Sequence, residues 1–178
     1  MIYGLRRWTN TLHQIANELP EAFLFMARPE GDGKGFHHIA TAAFIIRKIT
    51  ESKAHKHNKF GSMQIKAREI SPLSGVDRDV EFDKRYDFNS YKKVTLSIRD
   101  ICNHVVHSEI YSQTFSVSGK NGESLNSPQG NEWRFYFRIS SEIEFKKTGK
   151  IYEIDLNDYI SLVRGFASLV SVPSEYKP

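Results

Sequence analysis

Apolar residues recur along this chain with two different periods, and the period changes about two-thirds of the way through. In 5–19, Leu5, Trp8, Leu12, Ile15 and Leu19 fall at helical spacing, with Arg6, Arg7, Asn10 and Gln14 between them. That pattern predicts an amphipathic helix. Pro20 interrupts it. A proline sits comfortably in the first turn of a helix, so a second short helix is expected from Pro20 through Phe23, Phe25 and Met26. Arg28 to Gly35 alternates glycine with charge and reads as a loop. It lacks the spacing and the Lys-Ser/Thr pair of a phosphate-binding loop. From Phe36 to about Lys53, the stripe Phe36, Ile39, Ala40, Ala43, Ile46 and Ile49 predicts another helix. His37 and His38 lie in its first turn, about 100° apart, too divergent to share one ligand.

Gly61 to Phe88 is rich in charge and poor in periodicity, and is expected to be a long irregular connection. Tyr91 to about Glu109 is predicted to be the central helix, with Val94, Ile98, Ile101 and Val105 as its core stripe. Beyond it the period shortens to two. Ile110–Ser118, Trp133–Phe145 and Lys150–Ile154 read as strands, with Gly119–Asn131 and Lys147-Thr148-Gly149 as connections. Asp155 to Ser171 is predicted to close the chain as a helix, with Leu156, Tyr159, Ile160, Val163, Phe166, Ala167 and Val170 on its apolar face. The expected fold is α+β: four or five helices and a three-stranded antiparallel meander. Helical bundle comes first, then meander, then a C-terminal helix. No repeat or boundary divides 1–178, so a single domain is expected.

Composition narrows the function classes. At 39% hydrophobic and 26% charged, the chain belongs with ordinary globular proteins rather than disordered ones. One cysteine, Cys102, excludes an internal disulfide and argues against a cysteine metal site. No metal or cofactor is expected. The apolar runs are too short to span a bilayer, and the first residues show no signal-peptide pattern, so a cytoplasmic protein without a membrane partner is expected. The net charge of +4 is compatible with a polyanionic partner. Lys53, Lys56 and Lys59, interleaved with His55 and His57, form either a solvated loop or a contact for nucleic-acid phosphates.

The densest chemistry lies in Ser97 to His107. On a helix, Arg99, Asn103 and His107 form one row, and Asp100 and His104 form the neighbouring row. Cleaving RNA without metal requires a base for the 2′-hydroxyl, an acid for the leaving 5′-oxygen, and positive charge on the phosphate. Histidine suits the first two roles and arginine the third. Either His104 or His107 fits as acid or base, Arg99 as the phosphate ligand, and Asp100 and Asn103 as orienting groups.

The run Arg99-Asp-Ile-Cys-Asn-His104 resembles the Arg-x-x-x-x-His signature of HEPN-domain ribonucleases, including the polar residue after the arginine. The resemblance implies a helical bundle, a homodimer with motifs meeting across its axis, and metal-independent RNA cleavage in toxin or phage-defence settings. It implies Arg99 and His104 as the catalytic pair, assisted by Asp100, and a possible cognate antitoxin. Arg99 and His104 lie about 140° apart on a straight helix, so one protomer alone does not aim both at one phosphate. The other reading is a non-catalytic interaction protein, of immunity, antitoxin or adaptor type. There the polar helix face is architecture, and Tyr111, Trp133 and Tyr136 are core or base-stacking groups.

Overall fold

The computed structural model describes residues 2–26, 34–52, 60–76, 80–118 and 132–171. Helix α1 (Ile2–Met26) leads into α2 (Lys34–Glu51). A 3-10 turn at Phe60–Ser62 then precedes strand β1 (Gln64–Ile70), the one-turn α3 (Phe82–Arg85) and β2 (Lys92–Ser97). Helix α4 (Ile98–Val106), β3 (Ser108–Ser118), β4 (Glu132–Ser141), α5 (Glu142–Thr148), β5 (Ile151–Asp155) and α6 (Leu156–Ser171) complete the order. All five strands pair antiparallel, in the order β2-β1-β5-β4-β3. The α+β class holds, with a five-stranded sheet in place of a three-stranded meander.

The additional strands come from two places where local pattern misleads. Gln64–Ile70 was expected to be irregular. It alternates Ile65 and Ala67 toward the helices against Lys66 and Arg68, while Ile70 turns to the other face, and so few apolar residues do not register as a period. Lys92–Ser97 was expected to be helical because Val94 continues the Ile98–Ile101–Val105 stripe. Val94 and Leu96 instead alternate across a strand that pairs with β1, and Ser97 then caps α4. At the other end, the period of two continues through Ile143 and Phe145, but the strand does not. The strand stops at Ser141, whose hydroxyl accepts from the Glu144 amide and starts α5. Ile143 is left 80% exposed. Gly149 ends that helix at φ 68°, in the left-handed region that glycine adopts without a Cβ clash.

Pro20 does not start a second helix. Helix α1 runs through it, with Leu12, Ile15, Ala16, Leu19 and Phe23 buried on both sides. A mid-helix proline cannot donate to the carbonyl four residues back, here that of Ala16. Arg164 of α6 takes up that carbonyl: its Nη2 donates to Ala16 O at 3.4 Å and to Asn17 Oδ1 at 2.9 Å. The break is thus repaired by a partner distant in sequence.

Helices α1, α2, α4 and α6 cover one face of the sheet. Their buried stripes close over Ile65, Ala67, Leu96, Phe137, Ile139, Tyr152 and Ile154. Tyr159 of α6 is buried there, and its hydroxyl donates to Ile39 O at 3.1 Å. On the opposite face, Ile70 and Ile151 meet Tyr86, with Phe82, Phe88, Ile110 and Phe145 packed around them. That second cluster covers only one end of the sheet. No helix among the described residues is long and apolar enough to cross a membrane.

Candidate active site on helix α4

Helix α4 is short because both of its ends are fixed by side chains and by the strands beside it. At its start, the Ser97 hydroxyl accepts from the Asp100 amide at 3.1 Å, and Asp100 Oδ2 accepts from the Ser97 amide at 3.2 Å. This is a reciprocal capping box, which satisfies two otherwise unpaired helix-end donors. The Ser97 hydroxyl also lies 2.6 Å from Asp100 Oδ2. The carboxylate of Asp100 is therefore engaged at the helix terminus. At the other end, the His107 amide donates to Asn103 O at 3.1 Å, and His107 O accepts from the Glu142 amide at 2.9 Å. The backbone of His107 is held between α4 and α5, while its side chain stays exposed.

Ile98, Ile101, Cys102 and Val105 turn inward. Cys102 is a core residue: burial pushes its thiol up to about 12, which leaves it an inert thiol at neutral pH. The polar residues then divide between two sides. His104 faces the sheet. Its Nδ1 accepts from the Ser141 amide at 3.2 Å, and its ring lies 4.7 Å from that of Tyr152. Burial lowers its pKa below the ordinary 6.5, partly offset by the charges of Glu144 and Asp100. The bond from Ser141 occupies the lone pair of Nδ1, so the neutral ring carries its proton on Nε2. In this position His104 is a half-buried tie between α4 and the end of β4.

That environment has a measurable consequence. The folded chain binds a proton at His104 less readily than the unfolded chain does. Stability is therefore fully present above about pH 6.5 and falls as pH drops through the lower folded value. Urea unfolding from pH 7.5 to 5 is expected to show this decline, and His104→Gln is expected to flatten it. An identical pH slope in the variant would place the titrating group elsewhere.

The row Arg99, Asn103, His107 looks toward α2. There the half-buried Arg47 reaches across: its Nη1 lies 2.8 Å from His107 Nε2. Arginine can only donate, so Nε2 accepts and the His107 proton sits on Nδ1. The Nε of Arg47 donates to Glu51 Oε1 at 2.7 Å. That bond lowers the Glu51 pKa, with smaller contributions from the charges of Lys48 and Arg99. Arg99 is exposed and acts on the same carboxylate. Arg47, Glu51 and Arg99 thus form one charged set along the seam of α2 and α4, with His107 accepting from Arg47 and Asn103 on the row between Arg99 and His107.

Arg99 and His104 are not brought together: one faces the seam with α2 and the other the end of the sheet. Arg47 is the site residue that the sequence did not disclose. It sat among the polar residues outside an apolar stripe, and nothing local marked it as facing a histidine sixty residues away. His38 pairs with Glu18 at 3.4 Å, as a structural histidine does, and His37 is exposed. Lys53, Lys56 and Lys59 lie outside the described residues, as do His55 and His57. No cluster of metal-ligating side chains occurs among the described residues. Comparison of the chain with known family models, with curated proteins and with solved structures finds no match.

Proposed function

We propose that the chain is a metal-independent endoribonuclease of HEPN type, with the chemistry centred on His107 at the α2–α4 seam. The observation that carries this reading is the 2.8 Å approach of Arg47 Nη1 to His107 Nε2, with the charge of Arg99 felt at Glu51, the acid that Arg47 also holds. A neutral imidazole covered by a guanidinium is a base in reserve. An RNA phosphate competes for Arg47, since a bidentate charge-assisted pair is stronger than a bond to neutral imidazole. Moving Arg47 onto the phosphate uncovers the Nε2 lone pair. His107 then takes the 2′-hydroxyl proton, the 2′-oxygen attacks phosphorus, and the 5′-oxygen leaves with a proton. The products are a 2′,3′-cyclic phosphate and a 5′-hydroxyl. Arg47 and Arg99 stabilise the pentacoordinate phosphorane.

The homodimer implied by the Arg99–His104 resemblance fits this chemistry. Two α4 helices facing one another set two copies of His107 on one phosphate, one as base and the other as acid. In the toxin or defence setting that the resemblance implies, a cognate antitoxin is a protein that covers this seam. The engagement of Asp100 in the cap and of His104 against Ser141 favours the second reading, a non-catalytic interaction protein, for that side of α4.

The test is incubation of end-labelled RNAs with the protein in EDTA. Cleavage that leaves cyclic phosphate ends is expected. A folded protein that leaves several unrelated RNAs intact returns the whole polar face to the interaction-protein reading.

A further inference from the structure

The face of the sheet away from α1, α2, α4 and α6 carries a row of charge in strand register. Lys93 of β2 pairs with Arg68 of β1, Arg68 with Glu153 of β5, Glu153 with Arg138 of β4, and Arg138 with Ser112 of β3. One residue from each of the five strands stands at one level. Glu153 is 5% exposed and divides its carboxylate: Oε1 accepts from Arg68 Nη1 at 3.0 Å, and Oε2 from Arg138 Nε at 2.9 Å. One acid between two guanidinium groups leaves the triad net positive.

Aromatic rings fix the same guanidinium groups from the side. The Arg68 guanidinium lies over Tyr91 at 4.7 Å and over Tyr136 at 5.2 Å, and that of Arg138 over Phe88 at 3.7 Å. Side chains on alternate strand positions share a face. Lys66 and Arg134 therefore join the row's face, and both are exposed, as is Lys93. Among the described strand side chains on this face, these cations outnumber the acids Glu153 and Asp155. Tyr91 stays 38% exposed at the rim.

We propose that this face binds single-stranded nucleic acid, with Lys66, Arg68, Lys93 and Arg134 along its phosphates and bases stacking at Tyr91 and the Arg68 guanidinium. The argument is one of charge complementarity combined with ring and guanidinium platforms, which together distinguish single-stranded nucleic acid from other polyanions. Preorganisation supports it: Arg68 and Arg138 are already anchored by Glu153, so little ordering remains for binding to impose. The face is opposite α4, and its proposed role is independent of the ribonuclease reading.

Binding is measured by fluorescence anisotropy with probes that cannot be cleaved through a 2′-hydroxyl: single-stranded DNA and 2′-O-methyl RNA. Duplex DNA and heparin serve as comparisons. Wild type is expected to bind the single strands more tightly than the duplex, with an affinity that falls steeply with salt. A Lys66→Gln, Lys93→Gln double variant, altered only at exposed positions, is expected to weaken single-strand binding about tenfold or more and to flatten the salt dependence. Tyr91→Ala is expected to weaken binding of the single strands and leave heparin unchanged. The proposal is overturned by wild type that fails to bind at low salt, by heparin loss equal to strand loss in Tyr91→Ala, or by a folded double variant that binds as wild type does. Preference of one uncleavable strand over the other tells RNA from DNA as the ligand.

Discussion

His107→Ala is expected to slow RNA cleavage in EDTA by about 10²- to 10⁴-fold, the usual contribution of a positioned acid or base. The side chain is exposed, and the helix end at His107 is held by backbone bonds to Asn103 and Glu142, so the variant is expected to keep its fold. Arg47→Ala is expected to slow cleavage as well, because it removes both the proposed phosphate ligand and the group that holds the imidazole ring in place. His104→Ala makes the contrast. It removes the acceptor for the Ser141 amide and the packing against Tyr152, so it is expected to lower stability. Below its unfolding transition, its rate per folded molecule is expected to stay close to that of wild type. Single-turnover rates for the three variants, each corrected for folded fraction by circular dichroism, are the check. A His104→Ala rate that collapses while His107→Ala cleaves normally reverses the assignment and restores Arg99 and His104 as the reacting pair.

Glu153→Ala is expected to destabilise the fold by about 2–4 kcal/mol, because Glu153 is the buried charged residue among those described. Removing one partner from a buried ion pair typically costs about 3–5 kcal/mol, because the remaining charge keeps its desolvation penalty. Here the Arg68 side chain is 40% exposed and recovers water, which reduces the figure. Arg138, at 12% exposure and with Phe88 at 3.7 Å, does not recover it to the same degree. Equilibrium urea unfolding reads the difference directly. An Arg138→Met change made on top of Glu153→Leu is expected to restore part of the loss, since apolar groups of similar volume replace buried ion pairs well. A Glu153→Ala protein within about 0.5 kcal/mol of wild type, the range of ordinary surface substitutions, means that the triad adds nothing to stability.

The helices that cover the sheet were legible because burial imposes a single long-lived period on them. Leu12, Ile15 and Leu19, Ile39, Ala43 and Ile46, and Tyr159, Val163 and Phe166 each declare one buried face. Trp8 lies on the same stripe but is 37% exposed, at the edge of the packed region. The strands were legible where the alternating residues are large, as in Phe135, Phe137 and Ile139. They were missed in β1, where Ala67 is the inward residue between charged neighbours, and in β2, where Val94 satisfies two periods at once. Pro20 misled for a related reason: its cost is local, but its compensation by Arg164 is not. In the candidate site, the residue types on α4 could be read directly, and their directions could not. Whether a histidine ties down a backbone amide or faces an arginine depends on β4 for His104 and on α2 for His107. Neither neighbour is close in sequence. The row across the sheet was invisible for the same reason, because its members come from five separated strands whose order is not the order of the chain.

That order sets a timetable for folding. Strand β5 joins the hairpin β1–β2 to the hairpin β3–β4, yet it is the last of the five to leave the ribosome. Until it emerges, no strand is present to join β1–β2 to β3–β4, and the Arg164 that takes up the Ala16 carbonyl has not been made. Closure of the sheet therefore waits on a late strand and on pairing between residues distant in sequence, and slow folding is expected. During that interval the unjoined strand edges are open to pairing with other chains, so slower synthesis is expected to raise the yield of folded protein.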